Sequence, residues 1–317
     1  MEGNRVCRLL GIRYPIIEGG LAYLGWAELA AAVSEAGGLG QLTVAHMDEE
    51  TLRKEIRRVR ALTGRPFGVS VAVGARGDAA RKLEVALDEG VNIVSLSGGN
   101  PIPHVERLKA RGGVTVIAVI STVAHARKAE SAGADLVVAE GFEAGGHNGP
   151  AELTTMALVP QVVAAVNIPV VAAGGIVDGR GLVAAFALGA SGVQMGTRFV
   201  LTRECVAHEN YKQALLRAMD TGTVVIERSI GRVTRVLDTP YSRRVLEVEK
   251  QGLPLEEFLP WISGEKNRIA AVEGRLEEGY AYCGQAAGLI SDVPSAGEVI
   301  RAIMAEARAV RNGLPLF

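Results

Sequence analysis

The chain has 317 residues, of which 48% are hydrophobic, and its formal net charge at neutral pH is -1. This length and apolar content predict one large barrel with a smaller appendage. The balanced charge and an aromatic content of only 4% argue against a surface that binds nucleic acid.

The sequence also argues against a metal site and a membrane anchor. The three cysteines, Cys7, Cys205 and Cys283, are scattered and lack the spacing of metal ligands, which indicates reduced thiols in a cytoplasmic protein. The span 154–177 carries no charge, but prolines, an asparagine and a glycine pair interrupt it. We therefore interpret it as a buried helix, a turn and a strand, and we expect no membrane partner.

Short runs rich in valine and isoleucine alternate with segments of helical period along most of the chain. The predicted strands are 15–18, 39–44, 67–73, 92–96, 114–120, 135–139, 169–172 and 192–195. The predicted helices are 26–36, 48–62, 78–89, 155–166, 179–188 and one that ends near 132. About eight strand–helix units predict an α/β fold, a (β/α)8 TIM barrel.

An open, doubly wound sheet is the alternative fold. It is disfavoured because the glycine-rich run at 37–40 precedes a strand, whereas a dinucleotide fingerprint follows one. Near residue 220 the alternation of strands and helices ends, and the chain becomes more charged and is interrupted by prolines. We expect a barrel over residues 1–220 and a mostly helical appendage over 221–317, including C-terminal helices, that acts as a lid on the barrel.

The stretch 140–149 follows the sixth predicted strand and is the first candidate for chemistry. Gly145 and Gly146 lack side chains, so a ligand can approach their backbone closely. His147 comes next, and its ordinary pKa near neutrality suits it to move a proton. The alternative is a flexible loop with a solvated or structurally bonded histidine. For the other histidines, His46, His104, His125 and His208, we expect ordinary surface or hydrogen-bonding roles.

Glycine corners follow the seventh and eighth predicted strands. Gly174 and Gly175 end one strand, and Gly196 with Thr197 ends the next, so their backbone N–H groups are expected to converge. Barrels often bind a phosphate at this place. Each corner alone is compatible with an ordinary turn, but together they favour a phosphate site.

A ligand with its phosphate at these corners would extend over the barrel mouth toward the ends of the first, third and sixth strands. Flavin mononucleotide (FMN) has that shape, while pyridoxal phosphate and sugar phosphates fit less well. Pyridoxal chemistry also needs a lysine at a strand end, and the predicted strand ends have none.

The sequence resembles the nitronate monooxygenase family, formerly called 2-nitropropane dioxygenases, and the similar FMN-dependent type II enoyl-acyl-carrier-protein reductases. The likeness covers nearly the whole chain. It is carried by residues 10–16 (LGIRYPI), 36–40 (AGGLG), 65–69 (RPFGV), 144–147 (AGGH), 168–176 (IPVVAAGGI), 193–199 (VQMGTRF) and 283–288 (CGQAAG).

The resemblance implies FMN as cofactor and His147 as the catalytic residue. The cofactor-binding residues would be Gly20, Leu21, Ala22, Ser70, Glu140, Gly145, Gly146, Gly174, Gly175, Gln194, Gly196 and Thr197. The phosphate would lie on Gly174, Gly175, Gly196 and Thr197. Leu21 replaces a methionine that the family often has, and Ser70 stands where relatives commonly carry asparagine, which questions one hydrogen bond to the flavin.

The resemblance favours an FMN-dependent nitronate monooxygenase that oxidises alkyl nitronates with O2. Tyr23, with Leu24, stands where the reductases tend to show tryptophan, and the runs 230–235 and 278–280 also look more like the oxidase branch. The alternative is an NAD(P)H-dependent enoyl-acyl-carrier-protein reductase. A more distant alternative is a barrel without flavin that binds a sugar phosphate. The expected partner is a small-molecule substrate, with NAD(P)H as a further option, and a homodimer is one option for assembly.

Overall fold

The structure is a computed structural model that describes residues 3–74 and 78–315; residues 1, 2, 75–77, 316 and 317 lie outside the described part. Its strands are β1 (Ile16–Glu18), β2 (Gly40–Thr43), β3 (Phe67–Ala72), β4 (Ile93–Ser97), β5 (Thr115–Ile120), β6 (Leu136–Glu140), β7 (Gly146–Asn148), β8 (Val170–Ala173), β9 (Gly192–Met195), β10 (Thr223–Ile226) and β11 (Val233–Leu237).

Eight parallel strands form the barrel, in the order β1-β9-β8-β6-β5-β4-β3-β2. A parallel bridge between Ile17 and Leu39 joins β1 to the start of β2 and closes the ring. The strands are buried almost throughout because a parallel sheet is covered on one face by helices and on the other by the barrel interior. The predicted (β/α)8 TIM barrel is confirmed.

Helices connect the strands and continue through the appendage. They are α1 (Arg5–Leu10), α2 (Ala27–Glu35), α3 (Glu49–Leu62), α4 (Ala79–Asp88), α5 (Ile102–Arg111), α6 (Val123–Ser131), α7 (Thr155–Ala165), α8 (Gly179–Ala187), α9 (Thr197–Val200), α10 (Glu209–Leu216), α11 (Pro240–Lys250), α12 (Leu255–Phe258), α13 (Gly264–Ala271) and α14 (Ala296–Gly313). Capping side chains fix the residue at which several helices begin. For example, the Asp48 side chain accepts the Thr51 N–H and caps α3. In the described part, no helix is long and apolar enough to span a membrane.

The chain after residue 220 contains a feature that the sequence pattern did not reveal. Strands β10 and β11 pair antiparallel, and β11 also pairs with β7, which lies in the loop after barrel strand β6. The appendage has its own apolar cluster, which includes Ile226, Val236 and Tyr280. Helix α14 packs back against α8 and α2 of the barrel. A small antiparallel sheet therefore joins the appendage to the barrel mouth.

Candidate active site

One cavity lies at the carboxyl ends of the barrel strands, where α/β barrels carry out their chemistry. All thirteen residues that the sequence analysis selected line this cavity: Gly20, Leu21, Ala22, Ser70, Glu140, Gly145, Gly146, His147, Gly174, Gly175, Gln194, Gly196 and Thr197. The appendage supplies part of the wall through Asn267, Ala271, Tyr282, Gly284 and Ala286. The structure thus brings the selected residues together, and their individual roles stay predictions.

The two glycine corners present backbone N–H groups to the cavity. Gly174 and Gly175 have φ of +93° and +72°, which residues with a side chain rarely adopt. A Cβ added at Gly196 would meet only the Leu21 side chain, at 3.5 Å. Within the described chain, the N–H groups of Gly175, Gly196 and Thr197 have no backbone acceptor. Backbone donors without acceptors that lie along one cavity can hold an anion.

His147 lies on β7 and is held by two side chains from the appendage. Its Nδ1 lies 2.7 Å from the Thr234 hydroxyl, and its Nε2 lies 3.4 Å from the Tyr282 hydroxyl. The Tyr282 ring also meets the imidazole edge-on, with 5.8 Å between ring centroids. The side chain is exposed to the cavity, yet the surrounding protein desolvates it and lowers its pKa, and the positive charge of Arg232 lowers it further. The imidazole is therefore neutral at neutral pH.

Glu140 ends β6, and its side chain lines the cavity close to the glycine loop. Burial raises the pKa of Glu140 to about 7. In the described chain, the Glu143 carboxylate accepts the Thr155 N–H at the start of α7, and the Asp178 side chain accepts the Gly181 N–H at the start of α8. Glu140 is thus free to present an O–H donor or a carboxylate to whatever occupies the cavity.

The loop after β1 closes the other side of the cavity. A Cβ at Gly20 would lie 2.5 Å from the Ser70 hydroxyl, so the absence of a side chain lets this loop rest directly on β3. The Leu21 N–H donates to the Thr43 hydroxyl over 2.8 Å. Thr43 was not selected from the sequence, although it ends β2 just as the selected residues end their strands.

A C-terminal segment, residues 282–285, ties the wall of the cavity together. The Gly284 N–H donates to the Thr197 hydroxyl over 3.0 Å, and the Gln285 N–H donates to the Glu143 carbonyl over 2.9 Å. A Cβ at Gly145 would lie 2.8 Å from the Cys283 carbonyl carbon. The glycine loop and this segment are therefore in direct backbone contact, which local sequence patterns do not reveal.

Three buried residues, Arg198, Cys205 and Cys283, lie outside the cavity lining. Arg198 pairs with Asp292 over 2.8 Å and thereby ties α9 to the loop before α14. Cys205 and Cys283 are buried free thiols, and burial raises their pKa values to about 11 and about 12. Both behave as packed thiols, as expected.

The nitronate monooxygenase family model matches residues 4–79 and 70–306 of the chain. Among curated proteins, the chain is 34% identical to the nitronate monooxygenase of Pseudomonas aeruginosa, over 96% of this chain and 99% of that protein. It is 36% identical to (3aS,4S,5R,7aS)-5-hydroxy-7a-methyl-1-oxo-octahydro-1H-indene-4-carboxyl-CoA dehydrogenase of Mycobacterium tuberculosis, over 94% of each.

The chain is also similar to solved structures of related enzymes. FabK from Thermotoga maritima is 44% identical, with a TM-score of 0.91 over 98% of this chain and 97% of that chain. Nitroalkane oxidase from Streptomyces ansochromogenes is 32% identical, with a TM-score of 0.84 over 98% and 100%. These matches extend over nearly the full length of every relative named. The chain therefore belongs to the nitronate monooxygenase family.

Proposed function

We propose that the protein is an FMN-dependent oxidoreductase that oxidises alkyl nitronates with molecular oxygen. The observation that carries this proposal is the position of His147 in the lining of the cavity, with its Nδ1 held 2.7 Å from the Thr234 hydroxyl. A nitronate is an anion whose carbon is already electron-rich. An unprotonated imidazole nitrogen can position the substrate or act as a base during its oxidation.

The cavity residues fit FMN on two observations. The N–H groups of Gly175, Gly196 and Thr197 have no backbone acceptor in the described chain, and a phosphate would supply one. Gly146 and Gly196 leave open space, since a Cβ there would approach no atom closer than 3.9 Å and 3.5 Å respectively. When bound, FMN would accept electrons from the nitronate carbon and pass them to oxygen.

The chain's own residues would then bind and orient the two partners. The glycine corners would hold the phosphate, and the loop at Gly20 would cover the flavin ring. Glu140, with its pKa raised to about 7, would offer an O–H donor to the ring below neutral pH. His147 would face the substrate with its Nε2 and act there as a base.

The test of this proposal is direct. Purified protein should be yellow and release FMN on denaturation, and it should consume oxygen when given an alkyl nitronate. Flavin-containing protein that consumes no oxygen with ethyl- or propyl-2-nitronate would refute the oxidase activity. A colourless protein that binds no added FMN would refute the cofactor, and would favour the more distant alternative of a barrel that binds a sugar phosphate.

A second candidate is an NAD(P)H-dependent reductase of enoyl thioesters. The 44% identity with FabK favours it, and so does a relative whose name specifies a CoA-linked substrate. Anaerobic mixing with NADH or NADPH separates the two candidates, because only the reductase requires rapid bleaching of the flavin. Bleaching followed by reoxidation with crotonyl thioester would favour the reductase.

Three expectations accompany this proposal as parts of it. The chain would divide into a cofactor-binding barrel over 1–220 and a lid with C-terminal helices over 221–317. The protein would work in the cytoplasm, and two copies would form a homodimer. Protease sensitivity of residues 221–317 with and without FMN would test the division into barrel and lid. The mass of the protein in solution would test the homodimer.

A further inference from the structure

Glu227 lies directly after β10 and carries two energetic costs. Its side chain is only 1% exposed, and neither carboxyl oxygen has a hydrogen-bond partner among the described residues. Its backbone φ is +75°, a conformation that is unfavourable for a residue with a side chain. Burying an unpaired carboxyl and straining the backbone at one residue are both destabilising, and such costs cluster at functional sites.

The strand register connects Glu227 to the catalytic candidate. Ile226, its neighbour in sequence, pairs with Thr234 on β11, and Thr234 pairs with His147 on β7. Thr234 is fully buried, and its hydroxyl lies 2.7 Å from His147 Nδ1. One hydroxyl group therefore stands between the Glu227 region and the imidazole.

Several charged or titratable groups face Glu227. The Arg232 guanidinium lies 3.9 Å from its Oε2, and Glu249 approaches from α11. The negative charge of the ionised carboxylate also raises the pKa values of Tyr280 and Tyr282. Burial raises the pKa of Glu227 to about 7, while Thr234 lies near enough to lower that pKa somewhat. Because no other hydroxyl group among these neighbours bonds to the imidazole at Nδ1, Thr234 is the natural link.

We propose that Glu227 is a positioning residue for His147 and acts through Thr234. When Glu227 is ionised, its carboxylate would accept a hydrogen bond from the Thr234 hydroxyl, and the hydroxyl oxygen would accept a hydrogen bond from the N–H at His147 Nδ1. This arrangement leaves Nε2 without a proton, on the side where Tyr282 and the cavity lie. The role of the imidazole in turnover rests on the proposed function, but its tautomer does not.

The direct test is nitrogen NMR of the FMN-loaded protein labelled in histidine. The chain has five histidines, and a His147→Ala variant assigns the signal. At about pH 8.5, above the raised pKa of Glu227, wild-type His147 should carry its proton on Nδ1. Glu227→Gln should shift the population toward the Nε2-protonated form, since an amide can donate to Thr234 and turn its hydroxyl toward Nδ1. An unchanged tautomer in Glu227→Gln would overturn the proposal.

A second pair of variants protects the test against loss of folding. Thr234→Val removes the linking hydroxyl and should lose the tautomer preference, whereas Thr234→Ser keeps the hydroxyl and should retain it. Identical tautomers in these two variants would also overturn the proposal. Glu249→Gln serves as the matched control, because this carboxylate lies nearby but bonds to Ser229. Thermal melting and bound flavin report folding in every case.

Kinetics separate this inference from the proposed function. If His147 acts on the nitronate, Glu227→Gln should lower kcat by roughly 10- to 100-fold with little change in KM, part of what an acid–base group contributes. A shifted tautomer with unchanged nitronate turnover would uphold the positioning role and contradict the proposed role of His147. An unshifted tautomer would contradict the positioning role whatever the turnover.

Discussion

His147 Nδ1 and the Thr234 hydroxyl lie 2.7 Å apart although the two residues are 87 positions apart in the sequence. His147 belongs to the loop that follows barrel strand β6, while Thr234 belongs to the appendage. The bond therefore fixes the imidazole relative to both parts of the chain. This relationship leads to the first prediction.

Changing His147 to alanine should reduce nitronate turnover by about 10²- to 10⁴-fold, the range that a positioned acid–base residue contributes. FMN should remain bound, because the glycine corners that would hold its phosphate are unaffected. The measurements are oxygen uptake and the flavin spectrum. His125→Ala is the control, since this exposed histidine lies on α6. Equal turnover in both variants would show that His147 is not catalytic.

Replacing Gly175 with alanine should weaken FMN binding. Gly175 has φ of +72°, and a side chain there costs about 1–2 kcal/mol of stability through backbone strain alone. Gly231 also has φ of +72°, and a Cβ at that position meets nothing within 4 Å. Gly231→Ala thus controls for strain. We expect similar thermal destabilisation in both variants, but a raised dissociation constant for FMN only in Gly175→Ala, as measured by fluorescence titration.

Gly145→Ala should destabilise the contact between the glycine loop and the C-terminal segment 282–285. The new Cβ would lie 2.8 Å from the backbone of Cys283 and Gly284, so one of the two segments must move. Overpacking of this kind costs about 1–3 kcal/mol. Gly64→Ala is the control, because its Cβ would meet nothing within 4 Å. Thermal unfolding compares the two, and equal melting temperatures would contradict the close contact.

Stability should depend on pH through Glu227. Its pKa is about 7 in the folded protein and 4.5 ordinarily, so the folded state keeps a proton that the unfolded state releases. The free energy of unfolding therefore falls as pH rises from 4.5 to 7. Glu227→Gln cannot ionise and should gain stability relative to wild type across that interval, on the order of 2–3 kcal/mol. Denaturant unfolding at about pH 5 and about pH 8 measures this difference. The pKa of Glu140 is also raised to about 7, but Glu140 is present in both proteins, so its contribution to the pH dependence cancels in the comparison.

The barrel was predictable because its strands have a simple physical signature. Runs such as 136–139 and 169–172 contain no charged residue, because these strands are buried on both faces. They therefore stand out from the helices in the sequence. The carboxyl ends of parallel strands meet at one mouth, which is why the glycine corners and the stretch after β6, which the strand pattern itself indicated, line one cavity together with the residues that the resemblance implied. Helices α1, α5, α9 and α10 were missed; α1, α9 and α10 are short, and α5 carries a proline near its start.

The small sheet was not predictable by the same reasoning. Strand β7 consists of Gly146, His147 and Asn148, which form no apolar run, and it becomes a strand only by pairing with β11 far along the chain. Thr234 and Tyr282 therefore escaped selection, because local periodicity carries no information about such a distant partner. Glu227 escaped for the same reason, since its burial arises only when β10 and β11 fold together.

The small sheet combines one strand from the loop after β6 with two strands from the chain after residue 220. Substitutions in β10 and β11 therefore change the surroundings of the imidazole while Gly174, Gly175 and Gly196 keep their positions in the barrel. Exchanging these two strands between relatives should alter turnover more than the affinity for a cofactor.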